Sequence, residues 1–305
     1  MEVRSWPEGT PTIMIYEGEL AQEYFDRRRS AVLASPEITA DLMNVTCRDI
    51  RYQVIKHPAT LSEVEVARLT NELTELSRKT TSYGDGNYLP ALTGWRKYYE
   101  YHGARPNDYS RLSLVYDRET LISCSAVKKL TLSDATNTDL IWLQLAMTLP
   151  KYQRSGIAAT SLLKMLDDDF LSLLSQGYLV VRTPNPMVYE MVRRFLPIFA
   201  HKGLTGRLFP VIKCATAIED ISENEKVEIV EVLRRISPNN PFDTTTFVIG
   251  GYYKQFGALY KKYDFYCRNT DVREYFGKHL RCENQDGIAI VVKYQNQNKL
   301  QVVRP

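Results

Sequence analysis

Residues 149–166 read LPKYQRSGIAATSLLKML, and the types gathered there could hold a phosphate-bearing molecule. A helix start leaves about four backbone N–H groups unpaired, and the helix dipole adds partial positive charge. Gly156 lets a backbone approach a ligand with no Cβ in the way. Ala158 and Ala159 keep the next positions small, Arg154 adds a cation, and Ser155 and Thr160 add hydroxyl donors. That combination suits a pyrophosphate. A plain connecting turn with one glycine uses the same letters. The spacing is neither G-x-G-x-x-G nor G-x-x-x-x-G-K-S/T, which counts against dinucleotide and nucleoside-triphosphate folds.

Other reactive side chains stand apart from that turn. His57 precedes Pro58 at a strand end. His102, in YEYHGARPNDY, is either a base or a surface histidine. Residues 252–268, YYKQFGALYKKYDFYCR, interleave aromatics with Lys and Arg. That pattern stacks bases and pairs phosphates, or makes a half-buried amphipathic segment. Asp167, Asp168 and Asp169 read as a solvated helix face, because adjacent helical residues point apart and cannot share a metal. The five cysteines are scattered and lack any C-x-x-C pair, which argues against a disulfide framework and a zinc site.

A strand must run into the turn and a helix must leave it. SRLSLVYD, TLISCSAVKKLTL and TDLIWLQLAMTL are strand-like runs with short polar connections, an antiparallel meander whose third strand ends at Pro150. AATSLLKMLDDDFLSLLSQG then predicts one helix, with Leu162, Leu163, Leu166, Phe170 and Leu173 as its apolar stripe and Gly177 as its stop. YLVVRT reads as a short buried strand. PNPMVYEMVRRF predicts a helix with Asn185 as N-cap and Pro186 at the first position. Upstream, Ser62 caps an amphipathic helix whose apolar face is Val66, Leu69, Leu73 and Leu76. EGELAQEYFDRRRSAVLAS has helix-forming composition, and residues 83–109 form an aromatic, Gly- and Pro-rich loop. Downstream, RLFPVIKCATAI, TTTFVIGGYY, DFYC and DGIAIVVKY have strand character. SENEKVEIVEVLRRIS predicts a helix capped by Ser222 and Glu225 with Val227, Val230 and Leu233 on one face, and NTDVREYFGKHL a short one. The order implies an α/β fold with a mixed, mostly antiparallel central sheet and flanking helices.

The run LQLAMTLPKYQRSGIAATSLLKML resembles the acyl-CoA binding motif of the GNAT superfamily of N-acyltransferases. In that motif a strand ends L-x-V-x-P-x-Y, then comes Q/R-x-x-G-x-G/A, then a helix. Pro150, Tyr152, Gln153, Gly156 and Ala158 stand in the matching places. The resemblance covers roughly residues 49–195 and is loose elsewhere. It implies that the strand carrying Met147, Thr148 and Leu149 splays from the strand of Val180 to Thr183, with the pantetheine arm between them. The pyrophosphate would sit on the turn opened by Gln153, on the amides of Arg154, Ser155, Gly156, Ile157, Ala158 and Ala159. Asn185, opening the helix after the next strand, joins the cofactor-binding set by the same resemblance. The implied activity is transfer of an acetyl or other acyl group from acyl-CoA to an amine, with no metal.

Such a transfer needs a neutral amine, whose pKa is about 10.4 when lysine-like, and hence a base or a water chain leading to one. Backbone N–H near Met147 or Thr148 could meet the developing oxyanion. Two positions depart from the family pattern. The carboxylate common on the central strand is absent; that strand brings Gln144, with Asp139 at its start. The Tyr common in the last helix belongs near Val192, and Tyr189 lies one turn earlier, as acid or as packing residue. Tyr189 and Gln144 are the catalytic candidates.

The expected organisation is an N-terminal extension, 1–46, an acyl-CoA binding core, 47–215, and a C-terminal elaboration, 216–305. The last part completes the sheet or forms a small subdomain. A formal charge of +3 on 305 residues neither demands nor excludes an acidic partner. Two other functions remain open, a GNAT-fold protein that binds CoA without turnover and a nucleic-acid-associated protein. No run approaches the roughly 20 apolar residues of a membrane helix, and no signal peptide is evident, so the expectation is a soluble cytoplasmic protein with reduced thiols. Acceptor and oligomeric state are not legible.

Overall fold

The computed structural model describes residues 13–16, 50–81, 105–132, 138–153, 155–256, 263 and 265–296. The helix-forming run near the N-terminus, His102 with most of its aromatic loop, and Arg154 lie outside the described residues. Contacts divide the chain into two units. The first holds the described residues of 1–80, 94–126 and 145–166, and the second those of 81–93, 127–144 and 167–305.

In the first unit the strand order is β1 (Ile13–Tyr16), β2 (Ile50–Ile55), β3 (Arg111–Asp117), the first part of β4 (Thr120–Thr131) and the last part of β5 (Asp139–Thr148). β1 with β2 and β2 with β3 are antiparallel. Helix α1 (Glu63–Thr81) begins at a reciprocal cap. Ser62 Oγ accepts from Glu65 N at 3.3 Å, and the Glu65 carboxylate accepts from Ser62 N at 2.9 Å. Its expected face, Val66, Leu69, Leu73 and Leu76, is buried with Leu112, Leu114, Cys124 and Leu145. Strand side chains alternate between faces, so Val115 turns the other way and joins Ile50, Tyr52, Ile122, Tyr152 and Ile157. The meander thus carries α1 on one face and the turn after β5 on the other.

In the second unit the remaining parts of β4 and β5 lead to β6 (Tyr178–Thr183), then β11 (Gly287–Asn296) and β10 (Val248–Ile249), with β7 (Leu204–Phe209) also on β11. β5 and β6 are parallel, from Leu140↔Tyr178 to Leu143↔Val181. β11 is antiparallel to both β6 and β7. The late strand therefore lies between β6 and β7 in the sheet. Ile288 to Val292 are all buried, as a strand covered on both faces must be. Helix α4 (Pro186–Ala200) packs on β7. Gly177 stops the preceding helical run at a backbone φ of −130°, which any residue adopts. What demands glycine is space, because a Cβ there would meet the Asp139 carbonyl oxygen at 2.4 Å.

Several sequence-based expectations are corrected. The helix leaving the turn is α2 (Ile157–Met165), and it stops. Asp167 is an N-cap, accepting from Phe170 N at 3.1 Å, and starts a short α3 (Asp168–Ser172). A carboxylate that can cap competes with helix continuation, so the stripe restarts. Met165, Leu171 and Leu174 are buried where Leu163 and Leu173 were expected. RLFPVIKCATAI is broken by Pro210, whose missing N–H cannot serve a ladder, into β7, β8 (Ile212–Cys214) and β9 (Ala217–Ile218). Helix α5 (Glu223–Ile236) has the expected Ser222–Glu225 cap, but it buries Ile229, Val232, Leu233 and Ile236 and leaves Val227 68% exposed. Both sets have helical spacing, so periodicity alone could not choose. TTTFVIGGYY yields only β10 as strand. Asp243 accepts from Thr245 N and Thr246 Oγ1 and turns the chain, and Tyr252–Phe256 is a 3-10 turn. DFYC forms no strand among its described residues, whereas the short helix α6 (Thr270–His279) is present with Asn269 as cap.

Candidate functional site

The first unit gathers Met147, Thr148, Leu149, Gln153, Ser155, Gly156, Ile157, Ala158 and Ala159 around one turn. The chain leaves β5, makes a 3-10 turn over Pro150–Tyr152, and enters α2 at Gly156. Gly156 has φ +90°, in the left-handed region that glycine occupies without Cβ strain. Five bonds hold the turn to itself and to the strand end. Tyr152 N donates to Leu149 O at 2.8 Å, and Gln153 N to Pro150 O at 3.1 Å. Gln153 Nε2 reaches back to Thr148 O at 3.0 Å. Ser155 Oγ donates to Tyr152 O at 2.6 Å and accepts a long bond from Ile157 N at 3.4 Å.

The side chains of Gln153 and Ser155 thus build the turn, while the backbone is what it offers outward. The first helical bond is Thr160 N to Gly156 O at 2.9 Å. Before it, the amides of Ser155, Gly156, Ala158 and Ala159 donate to no acceptor among the described residues. Gly156, Ala158 and Ala159 are half-buried, and Ser155 is buried. α2 also lacks a side-chain cap. A row of open amides at a helix start, on a left-handed glycine, is chemically an anion seat.

Residues remote in sequence anchor this seat. Tyr152 OH donates to the Asp117 carboxylate at the end of β3. Burial, reinforced by Asp117, pushes the Tyr152 phenol up to about 12, so it remains a donor. Leu149 N donates to Ile122 O at 2.9 Å, while Ser123 Oγ bonds Met147 O at 2.9 Å and Thr148 Oγ1 at 2.8 Å. Lys151, within the turn, holds its ammonium 5.2 Å from the Tyr152 ring centroid and supplies a cation beside the seat. Asp117, Ser123 and Lys151 escaped sequence reasoning. Only Lys151 lay within the motif; the others are paired across the meander, about which the local pattern is silent. Burial pushes the Cys124 thiol up to about 12, which leaves it unreactive.

The second unit carries Gln144, Asn185 and Tyr189. Asn185 Oδ1 accepts from Met187 N at 2.9 Å, and Val188 N donates to Asn185 O at 3.0 Å. Pro186 has no N–H, so this helix start is closed by its own chain. Gln144 is half-buried on β5. Tyr189 is 2% exposed. Its hydroxyl donates to Pro210 O at 2.9 Å and accepts from Ile212 N at 3.3 Å. Burial pushes its phenol up to about 12. Tyr189 therefore braces the chain around Pro210. Among the described residues no cluster of His, Cys, Asp and Glu could hold a metal, and no helix is long and apolar enough to cross a membrane.

No protein-family model matches the sequence, and no curated protein matches it. Solved structures similar to the chain include the diaminobutyrate acetyltransferase EctA from Paenibacillus lautus in complex with L-2,4-diaminobutyric acid and coenzyme A. It is 17% identical over 51% of this chain and 83% of that one, with a TM-score of 0.30. The ribosomal-protein-S18-alanine N-acetyltransferase from Escherichia coli is 11% identical, over 52% and 82%, with a TM-score of 0.29. An aminoglycoside acetyltransferase from an uncultured soil metagenomic sample, in complex with trehalose, is 10% identical, over 50% and 86%, with a TM-score of 0.30. Likenesses this distant assign nothing to this chain by themselves.

Proposed function

We propose that the protein is an acyl-CoA-dependent N-acyltransferase, with acetyl-CoA as donor and an amine as acceptor. The observation that carries this reading is the seat after β5, where the amides of Ser155, Gly156, Ala158 and Ala159 have no acceptor among the described residues, beside a left-handed Gly156. The residues fit a diphosphate there. The seat belongs to a backbone already fixed by Gln153, Ser155 and Tyr152, so little ordering remains to be done on binding. Met147, Thr148 and Leu149 lead directly into the turn, and under this reading they would line the pantetheine arm.

The donor supplies an activated thioester carbonyl. This chain's residues have to bind it, bring an amine alongside and manage one proton. Gln144 is an amide and accepts no proton near neutrality, so its part is to orient water or amine by hydrogen bonding. Tyr189 is assigned to bracing, because an acid role would cost its bond to Pro210. Proximity carries much of the rate under this reading.

The test is calorimetric titration with CoA, together with thiol release from acetyl-CoA across an amine panel. Binding that is lost in Gly156→Glu, with thiol released by at least one amine, supports the proposal. CoA affinity identical in wild type and Gly156→Glu removes the seat from the argument.

A further inference from the structure

One buried hydroxyl clamps the C-terminal end of β5. Ser123 on β4 is fully buried. Its Oγ donates to Met147 O at 2.9 Å and lies 2.8 Å from Thr148 Oγ1. A serine hydroxyl has a single hydrogen, and Met147 O takes it, so Thr148 Oγ1 is the donor in the second bond. Both residues of the Met147–Thr148 peptide are therefore tied to Ser123.

That clamp sets a direction. A trans peptide is planar and carries its C=O and N–H on opposite sides. Met147 O points to β4, so Thr148 N–H points away from it. The neighbouring bonds agree. Leu149 N, two residues from Met147, again turns to β4 and donates to Ile122 O at 2.9 Å. Gln153 Nε2 reaches Thr148 O from the turn at 3.0 Å. Thr148 N–H and O thus share the outer edge of β5, where the ladder with β6 ends at Leu143. Gln153 takes the carbonyl, and the N–H is the donor that edge presents. Met147 N–H faces β4 with its own carbonyl, so of the two neighbours it is Thr148 that can meet a ligand.

We propose that Ser123 is a positioning residue for acyl transfer, aiming Thr148 N–H at the oxygen of the acyl carbonyl. The inference rests on the acyltransferase reading and adds to it a named oxyanion donor and the side chain that orients it. The amine lone pair forms the C–N bond while the C=O π pair moves onto oxygen, where Thr148 N–H meets the charge. That pair returns as the C–S bond breaks, giving the amide and CoA thiolate. The proton lost by the amine, passed through a base or water, makes the thiolate a thiol. A misdirected N–H weakens the transition state and leaves bound CoA, which lacks the acyl carbonyl, unaffected.

The experiment measures thiol release from acetyl-CoA across the amine panel, and CoA binding by calorimetry, in wild type, Ser123→Ala, Ser123→Thr and Thr148→Val. Ser123→Ala should lower kcat about tenfold, a part of the roughly hundredfold or more that a lost oxyanion donor costs. Its CoA affinity and its KM for acetyl-CoA should stay within about twofold, the signature of a contact made only in the transition state. Ser123→Thr keeps the hydroxyl and should recover most of the kcat. Thr148→Val, nearly isosteric, removes one half of the clamp and should give a smaller fall; it carries the test if Ser123→Ala fails to fold. An unchanged kcat in the folded variants, or a loss of CoA affinity matching the loss of kcat, would overturn this inference and leave the acyltransferase reading standing. No thiol release by wild type with any amine would overturn both.

Discussion

Two helices in this chain begin immediately after a strand and a short turn, and they begin in opposite ways. At α4, Asn185 Oδ1 and its carbonyl take the amides of Met187 and Val188, and Pro186 has none to offer. At α2, Gly156 has no side chain, and the amides of Ser155, Gly156, Ala158 and Ala159 find no acceptor among the described residues. α4 satisfies its start from its own chain, whereas the described residues supply no such partners at α2. An anion suits a start of that kind, because the helix dipole adds to the hydrogen bonds. Identical topology therefore says little about which turn binds a ligand. Open donors say more.

The sharpest way to break this contrast is at Gly156. Gly156→Glu forces a side chain into a left-handed conformation and sets a carboxylate where the diphosphate would lie. CoA affinity should fall about a hundredfold or more, since like charges brought together cost several kcal/mol. Gly156→Ala separates the two effects. It carries only the backbone strain, about 1–2 kcal/mol, and should lower thermal stability more than affinity. Calorimetry and thermal unfolding of both variants read this directly. Equal affinities in all three proteins would mean that the open amides are not the seat.

The contrast was half legible beforehand. Asn185 before Pro186 announces a closed start by residue type alone, and Gly156 announces an exceptional one. The three strands leading into the turn and the helix ahead of them were also readable, because alternation and 3.6-residue spacing are local signals. What holds the seat was not. Tyr152 and Asp117 are 35 positions apart, and Ser123 lies 25 from Thr148, so their pairing depends on how the meander folds back. Nor could the sequence say that Tyr189, on the right helix for an acid, would be taken by Pro210 and Ile212. The later region was harder still. One proline split a presumed strand, and two helical registers in α5 were equally periodic.

Removing the hidden anchor should loosen α2's start and leave α4's alone. Tyr152→Phe deletes a hydrogen bond to a carboxylate, worth about 1.5–3 kcal/mol, and leaves the ring in place. The expected result is a raised KM for acyl-CoA with a modest change in kcat, because the seat is disordered and the chemistry is untouched. Tyr189→Phe is the companion in the second unit. As a brace it should cost about 1–3 kcal/mol of stability through the unpaired Ile212 amide and Pro210 carbonyl. A kcat collapse without any loss of stability would instead return Tyr189 to the role of acid.

At α4 the expected effects are smaller. Asn185→Ala should cost about 1 kcal/mol, the usual worth of an N-cap, while Asn185→Ser should restore most of it. CoA affinity should be unchanged in both, since the Asn185 oxygen serves its own helix. A drop in affinity for Asn185→Ser at wild-type stability would show that its amide nitrogen touches the donor, and would erase the difference between the two starts.

The smallest effect belongs to a third start, that of α1, whose cap titrates. Hydrogen bonds from the Ser62 hydroxyl and amide hold the Glu65 carboxyl below its ordinary range, more than burial raises it. A carboxyl whose folded pKa is depressed contributes stability above its unfolded pKa and loses it as pH falls through the folded value. Glu65→Gln keeps the acceptor but cannot titrate. The stability gap between wild type and Glu65→Gln should therefore be present at neutral pH and close progressively as pH falls below about 4.3, the ordinary Glu value. Denaturant midpoints measured across that window check it. No such pH-dependent gap should appear for Gly156→Ala, because α2's start has no side chain to protonate. If that variant shows one in the same window, a carboxylate outside the turn supports α2 after all.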